Sequence, residues 1–181
     1  WDTFSAAISP IVEVYSKHGS AVSDQSSYNY FHSMGPRDSR STIFSGLRQN
    51  NHFGFAASTD HHAGYPGSYG DGRVAVLAPE KTRASIWEAI INRRTYAVTG
   101  DKIKGDFKIN GSSMGSEVEA PSSRKIDLKI EACDFIDKIV VYKNLKPWQV
   151  VNGEFIDSSS NDHIYKVRVE MGWGHDNEPY L

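Results

Sequence analysis

Cysteine is almost absent. Cys133 stands alone among 181 residues, which excludes an internal disulfide and a thiolate zinc cluster. Its place in a β-rich stretch predicts a small buried side chain. Long apolar runs are missing too: none approaches the roughly 18 residues that cross a bilayer as a helix, so no membrane span is expected. Neither sign of charge is in excess, with a formal net charge of -2, so neither nucleic acid nor an anionic membrane is favoured as a partner. There is no Gly-x-Ser-x-Gly elbow. The nearest run, Gly67-Ser68-Tyr69-Gly70, has the wrong spacing, so serine-nucleophile chemistry has no support. Internal repeats and low-complexity tracts are absent, and no His-x-His occurs anywhere. The chain begins at Trp1 without Met or a signal sequence, so a piece of a longer protein is expected and the compartment is left open.

What is present belongs to a folded chain, with 39% hydrophobic and 23% charged residues, unlike the composition of a disordered segment. Residues 11–15 form a β-rich run introduced by Pro10. Residues 16–40 are polar and read as a long loop, of a length that is usually functional or mobile. A short helix is predicted over 43–49 and a strand over 53–57. Gly64, Gly67, Gly70 and Gly72 follow, without the Lys-Ser/Thr of a phosphate-cradling loop. They read as a flexible surface turn or as a loop that lets backbone approach a substrate beside Tyr65 and Tyr69. A strand over 73–78 precedes a helix over 82–94, in which Ile86 with Ile90 and Trp87 with Ile91 repeat at i,i+4 and predict a buried stripe. The pattern changes near residue 104. Phe107 and Ile109 alternate before an Asn110-Gly111 turn, and period-two runs recur through 126–132, 139–142 and 165–171. The expected organisation is an α/β part over 1–103 and a β-rich, sandwich-like part over 104–181.

One run carries more chemistry than any other. Asp60, His61 and His62 come directly after the strand at 53–57, and imidazole with carboxylate is a donor set that zinc, manganese or iron accepts. The Asp-x-His spacing aims Asp60 and His62 the same way from an extended segment. His61 then points oppositely, as a group behind the ligands, a substrate contact or an exposed ring. The plain alternative is a polar turn in which Asp60 caps the loop backbone. Glu13, between Val12 and Val14, faces either solvent or a site. His18 follows that strand and is placed to point toward the same region. His32 and His52 read as surface or packing residues, and His163 and His175 have no partner pattern.

The strings PIVEVYSKHGSA, GFAASTDHHAGYPGSYG and RASIWEAIINRRTYAVTGDKI together resemble the C-terminal half of a PHP-type (polymerase and histidinol phosphatase superfamily) metal-dependent hydrolase. The resemblance covers about residues 8–104 well and 105–181 loosely. It implies the C-terminal part of a distorted (β/α)7 barrel, followed by a small antiparallel β-sandwich-like unit. The implied metal ligands are Asp60 and His62, with Glu13 and His18 near the site and no role carried onto His61; Glu13, His18 and His61 are the expected catalytic candidates. The implied activity is hydrolysis of a small phosphoester or other ester with a divalent metal (Mn, Zn or Fe). The His-x-His that opens such enzymes is missing here, so the chain by itself is expected to hold only part of a metal cluster, to bind metal weakly and to hydrolyse little. Its partner would then be the missing N-terminal half, and oligomers are possible. A different class of function, a carbohydrate- or protein-binding module, rests on Trp148 and Trp173.

Overall fold

A computed structural model describes residues 1–23, 39–67, 72–119, 122–133 and 135–153, together with the backbone of 172–173 and 179–180. The described residues fall into two compact units, one up to Cys133 and one from Phe135 onward. The first unit opens with β1 (Ile11–Ser16), which returns antiparallel as β2 (Gly19–Ser20). Isoleucine and valine favour this extended backbone, and Gly19 makes the return possible by taking a φ of 104°, a region open to glycine. A 3-10 turn (Ser39–Ser41) leads into helix α1 (Ile43–Arg48), and β3 (Gly54–Ala57) then pairs parallel with the other side of β1. β4 (Arg73–Val76), helix α2 (Arg83–Ile91) and β5 (Thr95–Val98) follow, with β4 and β5 antiparallel.

Both helices are started by a threonine. Thr42 Oγ1 accepts the Ser45 N–H and Thr82 Oγ1 accepts the Ser85 N–H, each satisfying a donor that the first helical turn leaves open. An aromatic cluster gathers around the buried Phe53. The Trp1 indole stacks on Phe53 at 5.2 Å, and Phe4 and Phe55 meet Phe53 edge-on. Such pairs contribute about 0.5–1.5 kcal/mol each beyond area burial. The indole N–H also donates to the Thr42 carbonyl at 3.0 Å, tying the N-terminus to the start of α1.

β6 (Lys104–Ile109), β7 (Ser112–Ser113) and β8 (Ile126–Glu131) form a three-stranded antiparallel sheet in the order β7-β6-β8. Asn110 and Gly111 both take positive φ between β6 and β7, as a two-residue hairpin turn demands. Phe107 pairs with Leu128 and Ile109 with Ile126, so the period-two pattern sets the register. The second unit contains a hairpin of β9 (Lys138–Lys143) and β10 (Lys146–Asn152), and the short pair β11 (Gly172–Trp173) and β12 (Pro179–Tyr180). Every pairing described beyond residue 104 is antiparallel, so the region is β-rich as its alternation predicts.

The expected (β/α)7 barrel segment is not what the chain forms. A barrel needs parallel strands joined by crossover helices on one continuous sheet. Here the described strands fall into five separate sheets of two or three strands, and β1 with β3 is the only parallel pair among them. The strands on either side of α2 are antiparallel, so this strand–helix–strand unit is not a βαβ crossover. The predicted α2 stripe also needs correction. Trp87 is 60% exposed and Ile91 48% exposed, while Ala89 is fully buried. Apolar residues occupy more than one side of this helix, and the small Ala89 marks the side that packs. Cys133, predicted buried, is exposed just beyond β8. The predicted strand at 165–171, the turns at 157–162, and His32, Tyr69, His163 and His175 lie outside the described residues, as does most of the loop predicted over 16–40. No helix among the described residues is long and apolar enough to cross a membrane.

Candidate metal centre

The parallel pairing of β1 with β3 brings two distant segments to one end of the sheet. The Ser58 N–H donates to the Tyr15 carbonyl at 3.1 Å, so the chain leaving β3 is tied to the chain leaving β1. Glu13 adds a side-chain link: the Ser58 hydroxyl donates to its carboxylate. Gly72 seals the junction. A Cβ at this buried position would stand 2.6 Å from the Ser58 carbonyl oxygen and 2.9 Å from that of Tyr15, so a larger residue forces the backbone apart.

From this junction three donors converge. His18 sits in the β1–β2 turn, where its N–H donates to the buried Ser16 hydroxyl at 3.2 Å. Its Nε2 lies 3.0 Å from Asp60 Oδ2 and 3.3 Å from His62 Nε2, and His62 Nε2 lies 3.4 Å from Asp60 Oδ1. The side chains grade from inside to outside, with His18 7% exposed, Asp60 40% and His62 60%. Asp60 and His62 therefore meet as the spacing predicts, but by another route. Asp60 takes a φ of 45°, a left-handed conformation that aspartate tolerates better than most residues, so a kinked turn and not an extended strand aims the pair.

The donor set fits a small divalent cation. A tetrahedral zinc with nitrogen and oxygen ligands at about 2.0–2.1 Å sets neighbouring donor atoms about 3.3 Å apart. The three separations here bracket that value. A single cation on the lone pairs of all three residues would satisfy them together. Three protein donors with the outermost ring well exposed leave a further coordination position open to solvent.

His61 is not drawn into this cluster. Its Nδ1 accepts the Ala63 N–H at 3.2 Å, and its ring meets Tyr65 edge-on at 5.3 Å. Glu13 is exposed and engaged with Ser58, which places it as a support for the turn leading to Asp60. Sequence reasoning missed the roles of Ser16 and Gly72. The glycine run was the available signal for Gly72, whereas nothing local marks Ser16. It also missed a second cluster, in which His52 Nδ1 and Arg93 Nη2 both lie 3.0 Å from Glu117 Oε1. There the His52 hydrogen bond, followed by the charges of His52 and Arg93, holds the Glu117 carboxyl below its ordinary range.

The chain is similar to an uncharacterized protein of Chlamydia pneumoniae, 27% identical over 184 residues covering 94% of this chain and 30% of the relative. Uncharacterized proteins of Chlamydia muridarum and Chlamydia trachomatis are 33% and 31% identical over 129 residues, 65% of this chain and 21% of each relative. The chain thus spans less than a third of the length of the curated relatives it matches. No family model matches it. No solved structure matches it significantly.

Proposed function

We propose that His18, Asp60 and His62 hold a divalent metal ion, zinc by the geometry of the donors, and that the site serves hydrolysis of a phosphoester or related ester in the longer protein. The observation that supports this best is the convergence of three metal-type donors from two segments 42 or more residues apart, at separations of 3.0–3.4 Å. The resemblance of residues 8–104 to PHP-type hydrolases favours the same pair, Asp60 and His62, and supplies phosphoesters as the substrate class.

A bound divalent cation polarises an ester oxygen and lowers the pKa of coordinated water toward about 7. The residues of this chain do the rest by position. His18 supplies a buried, rigidly held nitrogen from the hairpin turn. Asp60 supplies the negative charge that offsets the cation. His62 closes the cluster on its open side, where a substrate enters. Glu13 steadies the turn through Ser58. Two imidazoles and one carboxylate complete no cluster of several metals among the described residues, so this donor set is expected to bind one ion.

Metal content and phosphatase activity of the full-length protein test the proposal. Asp60→Ala and His62→Ala are each expected to strip the metal and abolish the activity. Variants that keep both would sink the reading. The binding-module alternative gains little: Trp148 is 51% exposed, but Lys143 of the same hairpin already lies 5.9 Å from its ring centroid.

A further inference from the structure

The hairpin of β9 and β10 is rich in apolar residues and carries charge of one sign only. From Lys138 to Asn152 the sequence has three lysines, Lys138, Lys143 and Lys146, and no aspartate or glutamate. The β6–β8 sheet shows the opposite arrangement. Lys104 and Lys129 each lie within 3.5 Å of Glu131, and Lys108 lies 2.7 Å from Asp106, so those strands balance their own charge. On the hairpin all three lysines are exposed. Lys143 pairs with Lys146 at the turn, and Lys138 pairs with Asn152 at the other end.

β10 is open as well. Neighbouring residues of a strand point to opposite faces, and Val150 and Val151 are 56% and 54% exposed, so neither face of β10 is covered. Among the described residues its outer edge carries no strand, since the sheet holds β9 and β10 alone. Antiparallel pairs alternate between those that exchange backbone hydrogen bonds and those that do not. The Gly153 N–H donates to the Asp137 carbonyl at 2.8 Å. Two residues back Val151 pairs with Ile139, and before it Gln149 pairs with Val141. Val151 and Gln149 therefore direct their backbone groups to β9, and Val150 and Asn152 turn theirs outward. Lysine on an edge strand commonly guards against pairing. Here the lysines stand at the two ends of the hairpin and residues 148–152 have no charge, so the lysines frame the open edge without blocking it.

We infer that the β10 edge receives an extended segment of a partner protein, an apolar stretch flanked by acidic residues, as a third strand. The outward backbone groups of Val150 and Asn152 hold its main chain. The valines on either face meet its apolar side chains. Lys138 at one end, and Lys143 with Lys146 at the other, meet its carboxylates. A two-stranded hairpin is marginal by itself, so the added strand also steadies the hairpin. Charge argues against a second copy of this chain as the occupant, because its hairpin would set lysines against lysines.

The full-length protein is titrated with fluorescent synthetic peptides of alternating valine and threonine that end in glutamate pairs or in lysine pairs. The glutamate peptide is expected to bind about tenfold tighter than the lysine peptide, with the difference shrinking in salt. Lys138→Glu, Lys143→Glu and Lys146→Glu together are expected to invert the preference, each exposed ion pair giving about twofold to threefold. N-methylation of alternate peptide amides tests the edge: one set of positions is expected to abolish binding and the other to preserve it. Equal effects of the two sets overturn strand pairing. A preference that survives charge reversal overturns the role of the lysines. Tighter binding of a thymidine oligonucleotide gives the hairpin to single-stranded nucleic acid and overturns the proposal, as does self-association that Val150→Lys abolishes. Absence of binding by both peptides overturns it outright.

Discussion

Two clusters in the first unit are built from nearly the same parts and differ in what they lack. His18, Asp60 and His62 combine two imidazoles with one carboxylate. His52, Glu117 and Arg93 combine one imidazole, one carboxylate and a guanidinium. In the second cluster the positive charge is covalently present: Arg93 and His52 both reach Glu117 Oε1 at 3.0 Å, and Arg93 also donates to the Gly115 carbonyl. Donors match acceptors, and the group closes on itself as an ion pair. In the first cluster two imidazole nitrogens and a carboxylate converge at 3.0–3.4 Å, and none of the three brings a permanent positive charge. A histidine beside a carboxylate is thus poor grounds for a metal site. A surplus of converging lone pairs, one of them on a buried ring, is better grounds.

The contrast breaks most easily under zinc. At free zinc a hundred times the dissociation constant, linkage adds about 2.7 kcal/mol to folding stability, or roughly 5–10 °C in melting temperature for a chain of this size. His18→Ala is expected to lower zinc affinity on the order of a hundredfold, at least as much as loss of a group that merely orients a ligand, and to erase that shift. His52→Ala should keep it in full. A calorimetric scan in which both variants behave alike would remove the distinction between the clusters. A smaller effect is expected from Gly72→Ala. The added methyl meets the Ser58 and Tyr15 carbonyls, an overpacking worth about 1–3 kcal/mol. Because those carbonyls lie where β1 and β3 end, zinc affinity should fall with stability, whereas the His52–Glu117–Arg93 group, remote in sequence from Gly72, should keep its pH response.

The amino-acid sequence showed half of this site plainly. Asp60 and His62 are two residues apart, and a spacing rule suffices to pair them. His18 stands 42 residues from Asp60, and its membership depends on the parallel register of β1 with β3, which no local pattern reports. The β6–β8 sheet was legible because Phe107, Ile109, Ile126 and Leu128 alternate and Asn110-Gly111 has turn chemistry of its own. The barrel expectation failed at a definable point. Strand, helix and strand over 73–98 have the composition of a βαβ unit, yet the strands pair antiparallel, and composition does not encode strand direction. Trp87 failed differently: α2 has apolar residues on both sides, so its period could not select the side that packs.

The smallest effect probes the closed cluster from its own side. Glu117 is 64% exposed, and its carboxyl is nonetheless held below the ordinary 4.5, first by the His52 hydrogen bond and then by the charges of His52 and Arg93. A carboxyl whose folded-state pKa is depressed contributes stability above its unfolded-state pKa and loses that contribution as pH falls through the folded value. Glu117→Gln should therefore be slightly less stable than the parent at neutral pH, with the gap closing as the solution is acidified below about 4.5. Salt should shrink the gap at neutral pH, since exposed pairs are screened. Urea unfolding of the two proteins across that range, with and without added salt, reads the difference directly. A gap that fails to close below about 4.5 would mean that Glu117 is held by something other than His52 and Arg93. The cluster would then lose its standing as the balanced counterpart of the His18–Asp60–His62 site.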